Sequence, residues 1–149
     1  MGKTKEYKKL IDKKPYDLEL YKVVYKTVDI PEDIPGETVF KLKTRDNYRI
    51  LNITEKRIEI EFKREQYFEP KAVFEIEISI RTKYEIKKDK EKNVSKIIED
   101  QFKKDIDDYL RPAAIQSSII VSNLTNINFR TPIVSPPFPV LERGEDEEQ

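Results

Sequence analysis

The sequence predicts an α+β domain in which a four-stranded antiparallel sheet is followed by two C-terminal helices packed on one of its faces. Two patterns carry this reading. From Ala72 to Ile86 the even positions read Ala72, Phe74, Ile76, Ile78, Ile80, Thr82, Tyr84 and Ile86, while Glu, Ser, Arg and Lys dominate the odd ones. That is the period-two alternation of a half-buried strand. From Val94 the period changes: Val94, Ile97, Ile98, Phe102, Ile106, Tyr109 and Leu110 recur at spacings of three and four, as on an amphipathic helix.

Taken in order, Tyr16 to Val28 is rich in β-branched and aromatic residues, with Leu18, Leu20 and Val24 set against Tyr21, Val23 and Tyr25. It reads as a strand with apolar residues on both faces. Residues 29–37, DIPEDIPGE, hold two prolines and a glycine and suit a crossing loop. Strand character resumes at Val39–Lys43, breaks softly at TRDN (44–47) and returns at Tyr48–Ile53. In Arg57–Lys63, Ile58, Ile60 and Phe62 alternate with charged residues. A turn near Glu69 and Pro70 leads into the long strand, and the short links imply antiparallel pairing. The first helix has Asn93 or Ser95 as its N-cap. Pro112 suits the first turn of a second helix, from about Asp108 to about Asn126. Pro132, Pro136, Pro137 and Pro139 then impose an extended path.

Composition bounds the chemistry. The 149 residues suit one domain, assigned to 16–141, between a flexible Lys-rich tail (1–15) and a flexible acidic tail (142–149). Lys plus Arg equals Asp plus Glu at 29 each, so no net field draws the chain to nucleic acid. With no His and no Cys, a Ser-His-Asp triad, a Cys nucleophile, a His/Cys zinc site and a disulfide framework are excluded. Three glycines, Gly2, Gly36 and Gly144, cannot build a phosphate-binding loop. No apolar run is long enough to cross a bilayer. The expectation is a cytoplasmic protein that is not an enzyme, needs no cofactor or metal, and binds no nucleic acid.

Four strands, a Pro-containing crossing loop after the first and two terminal helices resemble the bacterial export chaperone family SecB. Tyr109 and Arg111 match the Tyr-x-Arg pattern that opens the family's main helix. Pro132, Ile133, Val134, Pro136, Pro137 and Phe138 resemble the Pro-led segment that follows it. LYKVVYKTVDIPEDIPG (20–36) looks like the family's first strand and crossover loop. The chain departs from the pattern in a more charged segment at 87–105 and in lacking the zinc-binding tail that docks the translocase motor. It is closer to divergent SecB-like proteins, some of which work beside toxin–antitoxin pairs.

The resemblance implies an ATP-independent holdase for unfolded or precursor polypeptides in protein export, or an adaptor for one partner such as an antitoxin. It implies a homotetrameric dimer of dimers. It leaves the translocase motor, reached without zinc, and an antitoxin as candidate partners. Tyr21, Val23, Tyr25, Phe40 and Leu42, with Ile133, Val134 and Phe138, would line the client groove; ordinary core is the competing reading of the first five. On the second helix Ile115, Ile119, Ile120 and Leu124 read as one apolar side, and hence as the oligomer interface. Glu59, Glu61, Glu75 and Glu77 lie among Arg57, Lys63, Arg81 and Lys83, the mixed charge of a solvated face rather than a negative docking patch. Asp105, Asp107 and Asp108 read as an exposed helix start rather than a magnesium site.

Overall fold

The structure, a computed structural model, describes residues 10–87, 94–128 and 133–141. Four strands, β1 (Asp17–Val28), β2 (Lys41–Ile53), β3 (Arg57–Glu69) and β4 (Val73–Glu85), precede α1 (Val94–Lys104) and α2 (Ile106–Asn128). All pairings are antiparallel and the strand order is β1-β4-β3-β2. β3 and β4, the central strands, alternate buried and partly exposed residues along nearly their whole length. Ile58, Ile60 and Phe62 of β3 and Phe74, Ile76, Ile78 and Ile80 of β4 form the inner face, with Ile98 and Phe102 of α1 in the same core. The fold class follows the sequence reading.

α2 lies over β3 and β4. Its buried stripe is Leu110, Ala113, Ala114, Ser117, Val121 and Thr125, at spacings of three and four. The small residues in this stripe let the helix backbone approach the sheet. Near its start Tyr109 packs edge-on against Tyr84, with centroids 5.1 Å apart, and stacks on Phe102 at 5.4 Å. The Tyr84 hydroxyl donates to the Tyr109 carbonyl.

Three sequence expectations change. The soft break at TRDN (44–47) is absent, and β2 runs through it because Asp46 points inward onto Arg64 of β3. β3 extends to Glu69, beyond the expected end at Lys63. Within the stretch placed as a basic tail, 1–15, residues 10 and 11 dock on the domain. Leu10 and Ile11 are buried, Ile11 bridges Ile86, and both backbone N–H groups donate to the Gln101 side chain at 2.8 and 3.1 Å. Two adjacent apolar residues outweigh the surrounding lysines, each buried side chain being worth about 1.5–3 kcal/mol. Residues 1–9, the acidic tail 142–149, Asn93 and the side chain of Ser95 lie outside the described residues.

Candidate functional site

The groove residues divide between the two faces of the sheet. A register shift between Leu20 and Lys22 makes Tyr21 a bulge. Before it the even residues Leu18 and Leu20 face inward, opposite Thr82 and Ile80. After it the odd residues Val23 and Tyr25 do, opposite Ile78 and Ile76. An extra residue in one strand reverses the alternation beyond it. Tyr21 therefore belongs to the outer face, where it lies against Arg81, and not to the set formed by Val23 and Tyr25. Val24 takes the outer face with it.

On the inner face β1 is an edge strand beside the pair of strands that α2 covers. Leu20 and Val23 are exposed there, and Ile30 and Val39 of the crossing loop are exposed as well. Tyr25 is half-buried and stacks on Phe74 at 6.0 Å. Phe74 meets Phe68 edge-on at 5.1 Å, and Phe68 pairs across the ladder with Leu42. Tyr25, Phe74, Phe68 and Leu42 thus form an apolar row across all four strands, and Phe40 sits half-buried just ahead of β2. The Tyr25 hydroxyl is buried without a hydrogen-bond partner among the described residues.

Midway along the inner face, Arg64 and Asp46 are both fully buried. Arg64 Nε and Nη2 donate to Asp46 Oδ1 and Oδ2, each at 2.8 Å. The other guanidinium hydrogens go to the C-terminal segment. Nη1 reaches Ser135 Oγ at 2.9 Å and the Pro136 carbonyl; Nη2 reaches the Phe138 carbonyl at 2.9 Å. Asp46 in turn accepts from the Val140 N–H at 2.6 Å, and its own N–H donates to the Val140 carbonyl at 2.9 Å. α2 supplies two further bonds, Ser118 Oγ to the Ser135 carbonyl and the Ile133 N–H to Thr125 Oγ1. Ile133 packs on the core, whereas Val134 is 87% exposed and Phe138 54% exposed. Sequence reading missed this pair. Its signal was available: Arg64 breaks the apolar inward series Ile58, Ile60, Phe62, and Asp46 occupies the facing position of β2.

The outer face is a charged lattice. Tyr21, Arg81, Glu61 and Arg49 form a row across β1, β4, β3 and β2, with Arg81 and Arg49 donating to Glu61 at 3.0 and 3.1 Å. Partial burial pushes the Glu61 carboxyl up, but these two bonds outweigh it and hold it below the ordinary value. The bond from Lys22, reinforced by Lys63, likewise lowers Glu77 against the effect of burial. Alongside lies a shallow trough of about 500 Å³ lined by Lys22, Lys26, Glu65, Tyr67, Glu75 and Glu77. On α2 the expected apolar side is also divided. Ile115 and Ile119 are exposed one turn apart, whereas Ile120 and Leu124 are half-buried against the core, because successive residues on a helix point about 100° apart.

Among the described residues no cluster of acidic side chains is arranged to hold a metal, and no helix is long and apolar enough to cross a membrane. No protein-family model matches the chain, and no curated protein is significantly similar to it in sequence. Solved structures match it in fold. The Mycobacterium tuberculosis Rv1957 SecB-like chaperone, in complex with a ChAD peptide from the Rv1956 HigA1 antitoxin, matches with a TM-score of 0.62. The match covers 83% of this chain and 88% of that one at 7% sequence identity. The fold is that of a SecB-like chaperone.

Proposed function

We propose that this protein is a nucleotide-independent chaperone that holds unfolded or precursor polypeptides on the inner face of its sheet. The observation that carries the reading is the uncovered flank of that face: Leu20, Val23 and Tyr25 on β1, the aromatic row behind them, and the apolar tips of the crossing loop. Exposed apolar surface of this kind, rimmed by charge, marks an interaction site. A groove without a shape-specific pocket suits clients that share hydrophobic segments rather than a sequence. The shared fold with a SecB-like chaperone supports the reading. In it Val23, Tyr25, Phe40 and Leu42 contact clients, and Tyr21 does not. No chemistry is performed, the protein works in the cytoplasm, and Ile115 and Ile119 join copies of the chain into a dimer of dimers.

One observation favours an adaptor for a single partner: the neighbour of the same fold was solved with an antitoxin peptide. Client breadth separates the readings. The test is suppression of aggregation of several unrelated denatured proteins, with EDTA and without added nucleotide. Protection of all of them supports the holdase, and protection of one cognate partner alone supports the adaptor. Protection that disappears on chelation counts against both.

A further inference from the structure

The C-terminal segment 133–141 is held the way a receptor holds a peptide. A guanidinium has five N–H donors. Asp46 takes two of those of Arg64, and Ser135, Pro136 and Phe138 take the other three. Apart from Ser135 Oγ, every polar contact to the segment described above ends on its main chain: the carbonyls of Ser135, Pro136, Phe138 and Val140, and the N–H groups of Ile133 and Val140. Three prolines, Pro136, Pro137 and Pro139, carry no N–H and so leave few donors to satisfy. Among its side chains Val134 lies in solvent and Phe138 is about half exposed, whereas Ser135 is buried and Ile133 and Leu141 at the two ends pack against the core.

The energetics fit recognition better than stabilisation. A buried Arg–Asp pair in a sheet interior is often no more stable than an apolar pair of the same volume. This one, however, also presents carbonyl-seeking donors and an amide-seeking carboxylate to an extended chain. If the segment leaves, the two side chains remain bidentate partners and water can replace the lost carbonyls. Departure therefore strands no unpaired charge.

We propose that residues 133–141 are a resident, displaceable strap, and that Arg64 and Asp46 form the main-chain-reading subsite of the client surface, which an extended, proline-containing polypeptide segment occupies in the strap's place. This deepens the chaperone reading and rests on it for the identity of the displacing chain. It assigns the two buried charges a role in clients' backbone recognition, with the apolar row of Tyr25, Phe68 and Leu42 taking side chains.

The test uses the full chain and a labelled synthetic peptide of residues 133–141, IVSPPFPVL. The strap competes in cis at an effective concentration on the order of millimolar, so the unaltered protein is expected to bind the peptide weakly. Val140→Pro deletes the N–H donated to Asp46 at the end of the segment, outside the core, and is expected to tighten peptide binding about tenfold, the size of one charge-assisted hydrogen bond. Amide exchange supplies the second readout. In the unaltered protein, saturating peptide is expected to deprotect Ile133 and Val140 while the β3 and β4 amides stay protected. Failure of the Val140→Pro protein to bind the peptide, equal affinity of the two proteins, or binding that leaves Val140 protected would each overturn the proposal. A reduced, carboxymethylated unfolded protein then separates the two ideas. If it binds with the strap amides unchanged, the strap proposal falls and the chaperone reading stands. If it does not bind while the peptide exchanges, the chaperone reading falls and the strap stands.

Discussion

Tyr21 lies over Arg81, its ring centroid 3.5 Å from the guanidinium carbon, on the opposite side of the sheet from Tyr25. The single extra residue at the β1 bulge places these two tyrosines, four apart in sequence, in unrelated surroundings. One is a cation–π partner in a charged row, and the other is stacked on a core phenylalanine at the margin of an uncovered apolar flank.

The two tyrosines therefore respond differently to substitution. Tyr21→Ser is expected to leave unfolded-client affinity unchanged and to lower the melting temperature less than Tyr25→Ser does. Tyr25→Ser is expected to cost about 2 kcal/mol, roughly half the loss for a fully buried aromatic, and to weaken client binding as well. Tyr25→Phe isolates the hydroxyl. Because that group is buried without a partner among the described residues, its removal is expected to be neutral or stabilising. Thermal melts paired with fluorescence anisotropy on an unfolded client check all three. Client affinity that follows Tyr21 rather than Tyr25 would place the groove on the outer face.

Most of the architecture was legible because β4 and the helices obey clean periods, with Phe74 to Tyr84 at two and Val94 to Leu110 at three and four. What escaped are places where one residue changes the rule. The switch from Leu18 and Leu20 to Val23 and Tyr25 shows in the sequence that a phase change occurs, but pairing with β4 alone identifies the bulged residue. TRDN reads as a break because Asp and Asn disfavour strands, and only Arg64 on the neighbouring strand makes Asp46 an inward residue. Leu10 and Ile11 were lost in a lysine-rich context, and the partners that fix them, Gln101 and Ile86, are distant in the chain. The candidate site was legible as a list of apolar residues. Its division between faces was not.

Breaking the buried pair is expected to be expensive. Asp46→Ala leaves Arg64 charged, buried and without its bidentate acceptor, a loss on the order of 3–5 kcal/mol. The double substitution Asp46→Leu/Arg64→Met removes both charges and is expected to recover much of that stability. Denaturant melts on the three proteins check this, and a double variant no more stable than Asp46→Ala would show that the contacts to residues 135–140 also hold the fold together.

Stability is expected to fall at both ends of the pH scale for identifiable reasons. Burial and the neighbouring Asp105 carboxylate push Tyr109 up to about 12, and burial raises Tyr84 further. Below the ordinary value of 10.0 both tyrosines are protonated whether folded or not, so they add no pH dependence there. Above it the unfolded chain loses protons that the folded chain retains, and stability drops as pH rises. Glu61 and Glu77 act in the opposite sense. Their lowered values contribute stability that is present above 4.5 and lost as pH falls through them. Tyrosinate absorbance followed together with circular dichroism tests the alkaline limb: ionisation of the last tyrosines is expected to coincide with unfolding. Tyr84→Phe should flatten that limb and leave the acid limb unchanged.

The last prediction concerns assembly. Ile119 is 48% exposed and Ile115 40% exposed, one turn apart on the side of α2 turned away from its buried stripe. Covering each in an interface contributes up to about 1.5–3 kcal/mol, whereas a carboxylate in the same place loses its water without gaining a partner. Ile119→Asp is accordingly expected to shift the protein to a smaller species in multi-angle light scattering at micromolar concentration. Because position 119 does not support the monomer's core, the helix content of that species should match that of the parent. Ile120→Asp provides the contrast. Ile120 packs half-buried on the sheet, so its replacement is expected to lower the melting temperature of the subunit itself. If Ile119→Asp leaves the molar mass unchanged, α2 is not the surface through which copies meet, and a parent protein already monomeric at that concentration removes the assembly altogether.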